Sequence, residues 1–232
     1  MILTVIIPVF NEKKTILKII KKVKSLNRLK KQLIIVDDNS DDGTKEILKK
    51  ISKTKNDKII FHKENKGKGA AIITAKKFIK GNIVIIQDAD MEYDPNDYYR
   101  LTKPIKNKKF LVVYGSRVLG KKRYDSKNFI SKFRILANHM LTIFSNMING
   151  QSLTDAHTCY KVFDSELFKK IDLKSKDFAF CPEVTTKLSN KNIKILEVPI
   201  RYKGRSSQEG KKIRFNDGFL AIYSIIKFKL FR

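Results

Sequence analysis

The sequence predicts an α/β protein with a mostly parallel central sheet flanked by helices. Three observations carry this. Short apolar runs of strand length recur through the first half, segments with helical spacing stand between them, and polar or acidic clusters follow four of the runs where a strand would end. Strands alternating with helices argue a parallel sheet with right-handed crossovers. With 232 residues, 42% of them hydrophobic and 10% aromatic, the chain is one domain with a real core, and a disordered chain is excluded.

Leu3–Val9 is a continuous apolar run, read as a buried strand. Residues 13–26 carry Ile16, Ile19, Ile20 and Val23 at helical spacing, with lysines between them. Leu33–Val36 is a second strand, ending in the polar turn Asp37–Thr44, which holds several possible helix N-caps. Ile47, Leu48 and Ile51 form the next helical face, and Ile59–Phe61 is a strand. Asn65–Gly69 is a loop, and residues 69–80 read as a helix. Ile83–Gln87 is a strand running into Asp88-Ala89-Asp90, and Phe110–Tyr114 is another. Residues 129–149 form an amphipathic helix with Phe133, Leu136, Met140, Phe144 and Met147 on one face and Asn138, Thr142, Ser145 and Asn149 elsewhere. That apolar face packs into the core, rests on lipid or covers an acceptor groove. Residues 193–200 are a late strand, followed by a long polar, basic stretch from Arg201 to Gly218 of the kind that is often functional or mobile.

Fifty basic against 23 acidic residues leave a net charge of +27, which points to nucleic acid, an anionic membrane surface or phosphorylated substrates. Only 9 of the 50 are arginine, the residue on which specific nucleic-acid readout leans, and biased codon usage also produces a lysine-rich chain. Two cysteines, Cys159 and Cys181, exclude a disulfide scaffold and a thiolate-only zinc site, and read as two reduced, packed thiols. The three histidines show no metal-binding spacing, and His157 reads more readily as a surface or core residue than as a catalyst. A metal would be held by oxygen ligands. The N-terminus lacks the basic region of a signal peptide, and no stretch reaches the length of a transmembrane helix. The expectation is a soluble or peripheral protein in the cytoplasm, on the cytoplasmic face of a membrane where it docks.

Ligands of open parallel sheets bind at the carboxyl ends of strands. Asn11 and Glu12, Asp37 and Asp38, Asp88 and Asp90, and Gly115-Ser116-Arg117 all fall at such ends. Asp90 and Glu92 are two apart on an extended segment, so both can reach one Mg²⁺ or Mn²⁺ ion that completes its shell with substrate phosphate. The loop Asn65-Lys66-Gly67-Lys68-Gly69 is neither a P-loop nor a dinucleotide fingerprint, but its amides and Lys68 can cradle a phosphate.

In order, Val5–Glu12, Ile35–Thr44, Asn65–Gly69 and Asp88-Ala89-Asp90 resemble the inverting family 2 glycosyltransferases, within them the polyprenyl-phosphate mannose and glucose synthases. Thr154-Asp155, Cys159–Phe163, Pro182-Glu183 and the Arg201–Gly218 segment extend the likeness almost to the end. The resemblance implies a GT-A-type fold, with a nucleotide-sugar half over 1–117 and an acceptor half over 118–232. It implies that Pro8, Asn11 and Glu12 line the nucleotide pocket, Asp38 bonds the base, Lys68 lies near the nucleotide, Asp88 touches ribose or sugar and Asp90 binds the metal. Glu92 stands where mannose synthases often have Gln, which weakens it as a second ligand. Arg117 and Arg205 would meet the acceptor phosphate, with Arg134 a weaker candidate. Family members often carry carboxy-terminal membrane helices; without them this chain would dock peripherally, through the 218–232 tail on an anionic surface, or be held by a separate membrane protein. The tail equally suits a terminal helix packed on the domain.

The implied reaction moves a hexose from GDP-mannose or UDP-glucose to a polyprenyl phosphate with inversion. A lipid phosphate, with a second pKa near ~6, is largely dianionic at neutral pH and needs no strong base. A hydroxyl acceptor on a glycan needs one, for which Asp155 or Glu183 would serve, although Glu183 suits a structural cap or salt bridge as well. The rival of another class is a basic nucleic-acid- or membrane-binding protein. The spread of lysines and the acidic sheet ends speak against nucleic acid.

Overall fold

The computed structural model describes residues 1–120, 129–205 and 216–231, with backbone alone at 129–134, 216 and 217. The N-terminal apolar run forms β1 (Ile2–Val9), with Val5, Ile6 and Ile7 fully buried. α1 (Ile16–Lys24) buries the Ile16, Ile19, Ile20 and Val23 stripe. β2 (Lys30–Asp37) starts three residues before the apolar run, because buried Gln32 is satisfied inside the sheet. Thr4 Oγ1 donates to its Oε1 at 2.7 Å, and its amide donates to the carbonyls of Asn56 and Phe78. There follow α2 (Thr44–Lys49), β3 (Lys58–Phe61), α3 (Lys68–Lys76) and β4 (Ile83–Ile86). A 3₁₀ turn at Pro95–Asp97 then leads into α4 (Tyr98–Lys106) and β5 (Val112–Ser116). The second half contributes α5 (Phe129–Asn149), β6 (Lys161–Asp164), α6 (Ser165–Lys170), α7 (Phe180–Asn190), β7 (Ile195–Pro199) and α8 (Asn216–Leu230).

The strands form one sheet in the order β3-β2-β1-β4-β6-β5-β7. All pair in parallel except β6, which runs antiparallel to both β4 and β5. This is the mostly parallel sheet expected, and β6 itself escapes the sequence reading for a local reason. Lys161 masks the apolar run, yet it is fully buried. Its ammonium donates to the carbonyls of Ala156 and Thr158 at 2.9 and 2.7 Å and lies 4.1 Å from the Tyr114 ring centre. Burial lowers its pKa below the usual lysine range.

The chain leaves β1 toward β2 on one side and pairs it with β4 on the other, so the strand order reverses there and leaves a crevice at the carboxyl ends. Pairing of β1 with β4 stops at Ile6↔Ile86, while pairing with β2 runs on to Val9↔Asp37. Pro8 lies past the last β4 partner, where its missing N–H leaves no gap in that ladder.

α5, α7 and α8 pack on one another beside the sheet. On α5 the polar residues face in: Thr142, Ser145 and Asn149 are buried, and Asn149 Nδ2 donates to Thr186 Oγ1 of α7 at 3.2 Å. Leu136, Met140, Ile143 and Met147 face water, Met147 at 76% exposure. Of the readings open for this helix, core packing is therefore overturned for these residues; Phe144 is half-buried, and the side chains of Phe133 and Arg134 lie outside those described. No helix among the described residues is long and apolar enough to cross a membrane.

Candidate functional site

The four strand ends named from the sequence converge. After β1, Asn11 takes the left-handed conformation (φ 51°) and exchanges two hydrogen bonds with Asp41, its Nδ2 donating to Asp41 Oδ1 and its Oδ1 accepting from the Asp41 amide. That kink brings Glu12, 7% exposed, over the crevice. After β2, Asp38 organises the glycine loop. Its Oδ1 accepts from the Lys66 amide at 2.9 Å and pairs with His62 Nδ1 at 2.7 Å, and its Oδ2 accepts from the Gly67 amide at 2.6 Å. The neighbouring Asp37 Oδ1 is buried with no partner among the described residues.

The glycine loop is clamped from the second half of the chain. Ala70 N donates to Lys176 O at 2.9 Å, and a Cβ at Gly67 or Gly69 would come within 2.5 Å of Lys176 O or 2.1 Å of Ser175 O. That opposing loop is fixed by the fully buried Glu183, which accepts from the Lys174 and Ser175 amides at 2.7 Å each and is paired with Lys187. Glu183 is thus a structural anchor. Lys68 leaves the clamped loop with its ammonium 2.6 Å from Asp88 and 5.8 Å from the Phe178 ring centre. Burial opposes its charge, but the Asp88 carboxylate more than reverses this, and the lysine pKa stands well above its ordinary value. Gly69→Ala is therefore expected to lower folding stability by about 1–3 kcal/mol by prising the loops apart. Urea titration measures this; unchanged stability would show that the two loops are not tightly fitted.

After β4, the carboxylates gather round one guanidinium. Arg205 donates to Glu12 Oε1 at 3.0 Å, to Glu12 Oε2 at 3.2 Å and to Asp90 Oδ2 at 3.2 Å. Burial, and then the negative charges of Asp88 and Glu92, push the Asp90 pKa up to about 7. Glu92, expected to share a metal with Asp90, uses its oxygens otherwise: Oε2 accepts from the Tyr202 hydroxyl and Oε1 from the Arg205 amide, both at 2.7 Å. It ties the 202–205 segment to the site, a long-range contact that its spacing from Asp90 does not reveal. Among the described residues no three His, Cys, Asp or Glu side chains are gathered as a metal cage. The donor chemistry still fits a hard divalent cation: all candidate ligands are oxygens, and Asp90 is short of positive charge.

After β5, Arg117 is held by Asp155 in a fork, Nε to Oδ2 and Nη2 to Oδ1 at 2.7 Å each, with its amide also donating to Oδ2 at 3.0 Å. Tyr202 lies under the guanidinium at 5.2 Å. Burial works against the Asp155 charge, but Arg117 overrides it and holds the carboxyl below its usual range. Asp155, expected as a catalytic group, has both its oxygens taken by the Arg117 fork. Glu197, invisible to motif reading, fixes it in turn by accepting from the Thr154 and Asp155 amides at 2.6 and 2.9 Å. Arg205, expected at the acceptor phosphate, sits instead among the β1 and β4 carboxylates. His157 is neutral at pH 7, since burial and then Lys161 push its pKa down to about 4. Cys159 and Cys181 are free thiols.

The site is thus one connected set. Glu12, Asp90 and Glu92 meet at Arg205, Lys68 meets Asp88, and Tyr202 links Glu92 to Arg117 and Asp155. Pro8 and Asn11 stand at its β1 edge and Asp38 behind its glycine loop.

Comparison with known proteins gives this geometry a family. The model described as Glycosyl transferase family 2 matches residues 4–172. The chain is 30% identical over 234 residues to the uncharacterized protein MJ1222 of Methanocaldococcus jannaschii, covering 98% of this chain and 92% of that protein. It is 27% identical over 245 residues to the UDP-N-acetylglucosamine–dolichyl-phosphate N-acetylglucosaminyltransferase of Methanococcus voltae, covering 97% and 95%. In fold it is similar to glucosyl-3-phosphoglycerate synthase from Mycobacterium tuberculosis, solved with Mn²⁺, UDP-glucose and phosphoglyceric acid. The TM-score is 0.68 at 16% identity, over 99% of this chain and 80% of that one.

Proposed function

The chain belongs to glycosyl transferase family 2, a glycosyltransferase of GT-A-like fold, and from that premise we propose that it transfers a hexose from a nucleoside-diphosphate sugar to a polyprenyl phosphate with inversion. The observation that carries the choice of acceptor is the Arg117–Asp155 fork. A hydroxyl acceptor needs a base to take its proton, and the carboxylates named for that work, Asp155 and Glu183, are both committed to other partners. A phosphate acceptor is already anionic and asks instead for cations. Arg117 has five N–H donors, of which Asp155 takes two, and although burial opposes its charge, that carboxylate holds it. The dolichyl-phosphate acceptor in the name of the Methanococcus voltae relative supports the same reading.

The roles follow from position. Pro8, Asn11 and Glu12 border the nucleotide, Lys68 on the glycine loop that Asp38 holds faces its phosphates, and Asp88 orients Lys68 and the ribose or sugar. Asp90 would hold Mg²⁺ or Mn²⁺, which supplies charge neutralisation of the departing nucleoside diphosphate. Arg205 would exchange a carboxylate for phosphate oxygen as the donor arrives, and Arg117 would fix the acceptor phosphate opposite the leaving group. Peripheral seating on the cytoplasmic face of a membrane belongs to the same proposal.

The test is a transfer assay with purified protein, Mn²⁺ or Mg²⁺ and a short polyprenyl phosphate, with labelled GDP-mannose, UDP-glucose and UDP-N-acetylglucosamine in parallel. Metal-dependent labelled lipid from one donor is expected. Metal-dependent release of nucleoside diphosphate without lipid product would reject the lipid acceptor in favour of a glycan hydroxyl.

A further inference from the structure

We propose that the outer faces of α5 and α8 together form a docking plane for an anionic lipid bilayer. This deepens the lipid-acceptor reading and rests on it for its purpose. The evidence is the inversion of α5 and its continuation on α8. A soluble helix normally turns its apolar stripe inward. Here α5 glues its polar side to α7 and to the 153–156 loop, with Asn146 Nδ2 donating to Leu153 O at 2.7 Å and Ser189 Oγ donating to Asn149 O at 2.5 Å. Its Leu136, Met140 and Met147 point to water. α8 packs beside α5 and buries Ala221, Ser224, Ile225 and Phe228. It leaves Phe219, Tyr223 and Leu230 at 64%, 62% and 70% exposure. Scattered exposed apolar residues need no explanation, but two adjacent helices with such faces make a patch that does.

Charge selects the occupant. α5 contains no acidic residue, and α8 has only Asp217 in its first turn, with Lys227 and Lys229 in its last. Lysine at the edge of an apolar helix face is the pattern of a helix lying in a negatively charged interface. A second copy is disfavoured, because it would bring Lys227 and Lys229 against their like in chains of net charge +27.

The plane also lies one loop from the chemistry. A groove lined by Leu220, Tyr223 and Phe228, with Lys174, Lys227 and one carboxylate, Asp177, beside them, separates α8 from the 174–179 loop. That loop carries Phe178 under Lys68.

Vesicle flotation of the full chain tests this, with phosphatidylcholine vesicles with and without phosphatidylglycerol. The chain is expected to float with the anionic vesicles and weakly with the neutral ones. Met140→Asp with Met147→Asp, and separately Tyr223→Asp, should each lower partitioning about tenfold or more. Nucleotide-sugar binding should remain at the parent level and so report an intact fold. Parent protein that fails to float with anionic vesicles, or variants that float like the parent, would overturn the proposal. So would a dimer in light scattering that the Met140 and Met147 changes dissolve, or flotation that needs an integral membrane protein in the vesicle. Transfer to a short, water-soluble polyprenyl phosphate reads the acceptor separately. Its persistence in non-floating variants supports docking as a distinct function, and its absence alongside intact flotation rejects the acceptor while the docking plane stands.

Discussion

Asp90→Asn is expected to lower metal-dependent transfer by about 10³-fold, roughly 4 kcal/mol of transition-state stabilisation, and yet to raise the melting temperature at pH 8. The two effects have one cause. Asp90 lies beside Asp88 and Glu92 and shares the Arg205 guanidinium with Glu12, while Lys68 is committed to Asp88, and its folded pKa stands near 7 against an ordinary aspartate's 3.8. Between those values the folded protein holds a proton that the unfolded chain has released. Stability from this group is therefore fully present below about 4 and is lost as pH rises through about 7, at up to ~1.4 kcal/mol per pH unit. Asparagine removes the charge and the loss with it. The gain should be large at pH 8, small at pH 5, and reproduced in the parent by Mn²⁺ or Mg²⁺. Calorimetric scans at both pH values, with and without metal, measure it. An equal shift at pH 5 and pH 8 would show that like-charge crowding at Asp90 is not the cause.

The second large effect concerns Asp155→Ala, expected to cost about 3 kcal/mol of folding stability, the order found when one partner of a buried ion pair is removed. Arg117 is only 16% exposed in its side chain and would be left with its charge and no acceptor. The Asp155 pKa is depressed in the folded state, so the stability it contributes is present above the ordinary carboxylate pKa and is lost as pH falls through the folded value. Urea titration at neutral pH gives the magnitude. The Asp155→Asn variant separates the acceptor readings. Positioning of Arg117 predicts lowered stability with a raised KM for the lipid phosphate. A base for a hydroxyl acceptor predicts a collapsed kcat with an unchanged KM for the acceptor, and that outcome would displace the phosphate reading.

Much of this architecture can be read along the chain, because several of its strands are unbroken apolar runs and the polar residues of the candidate site follow them directly. β1 and β4 announce themselves in this way, and so do Glu12, Asp88 and Asp90. Three features resist such reading, each for a physical reason. β6 is hidden because Lys161 looks like a surface residue until Ala156, Thr158 and Tyr114 are brought around it. The orientation of α5 is hidden because periodicity establishes that a helix has two faces but not which one its neighbours want. The partners of Asp38, Glu92 and Asp155 are hidden because they lie 28, 110 and 38 residues away along the chain, in segments that only the folded topology juxtaposes.

The clamp on the glycine loop bears on how such enzymes can be recombined. A domain-exchange experiment guided by the proposed roles would cut near residue 117, keeping the part proposed to bind the donor and importing the part proposed to bind the acceptor from a relative. Here that junction divides Gly67 and Gly69 from the Lys176 and Ser175 carbonyls against which they are fitted, and from the Glu183 that sets those carbonyls. A graft that imports a bulkier or differently routed 174–177 loop would alter donor affinity while intending to alter only the acceptor. Chimeras that retain residues 174–183 with the first part should keep the parental donor, and libraries for new acceptors are better confined to α5, α8 and the surroundings of Arg117.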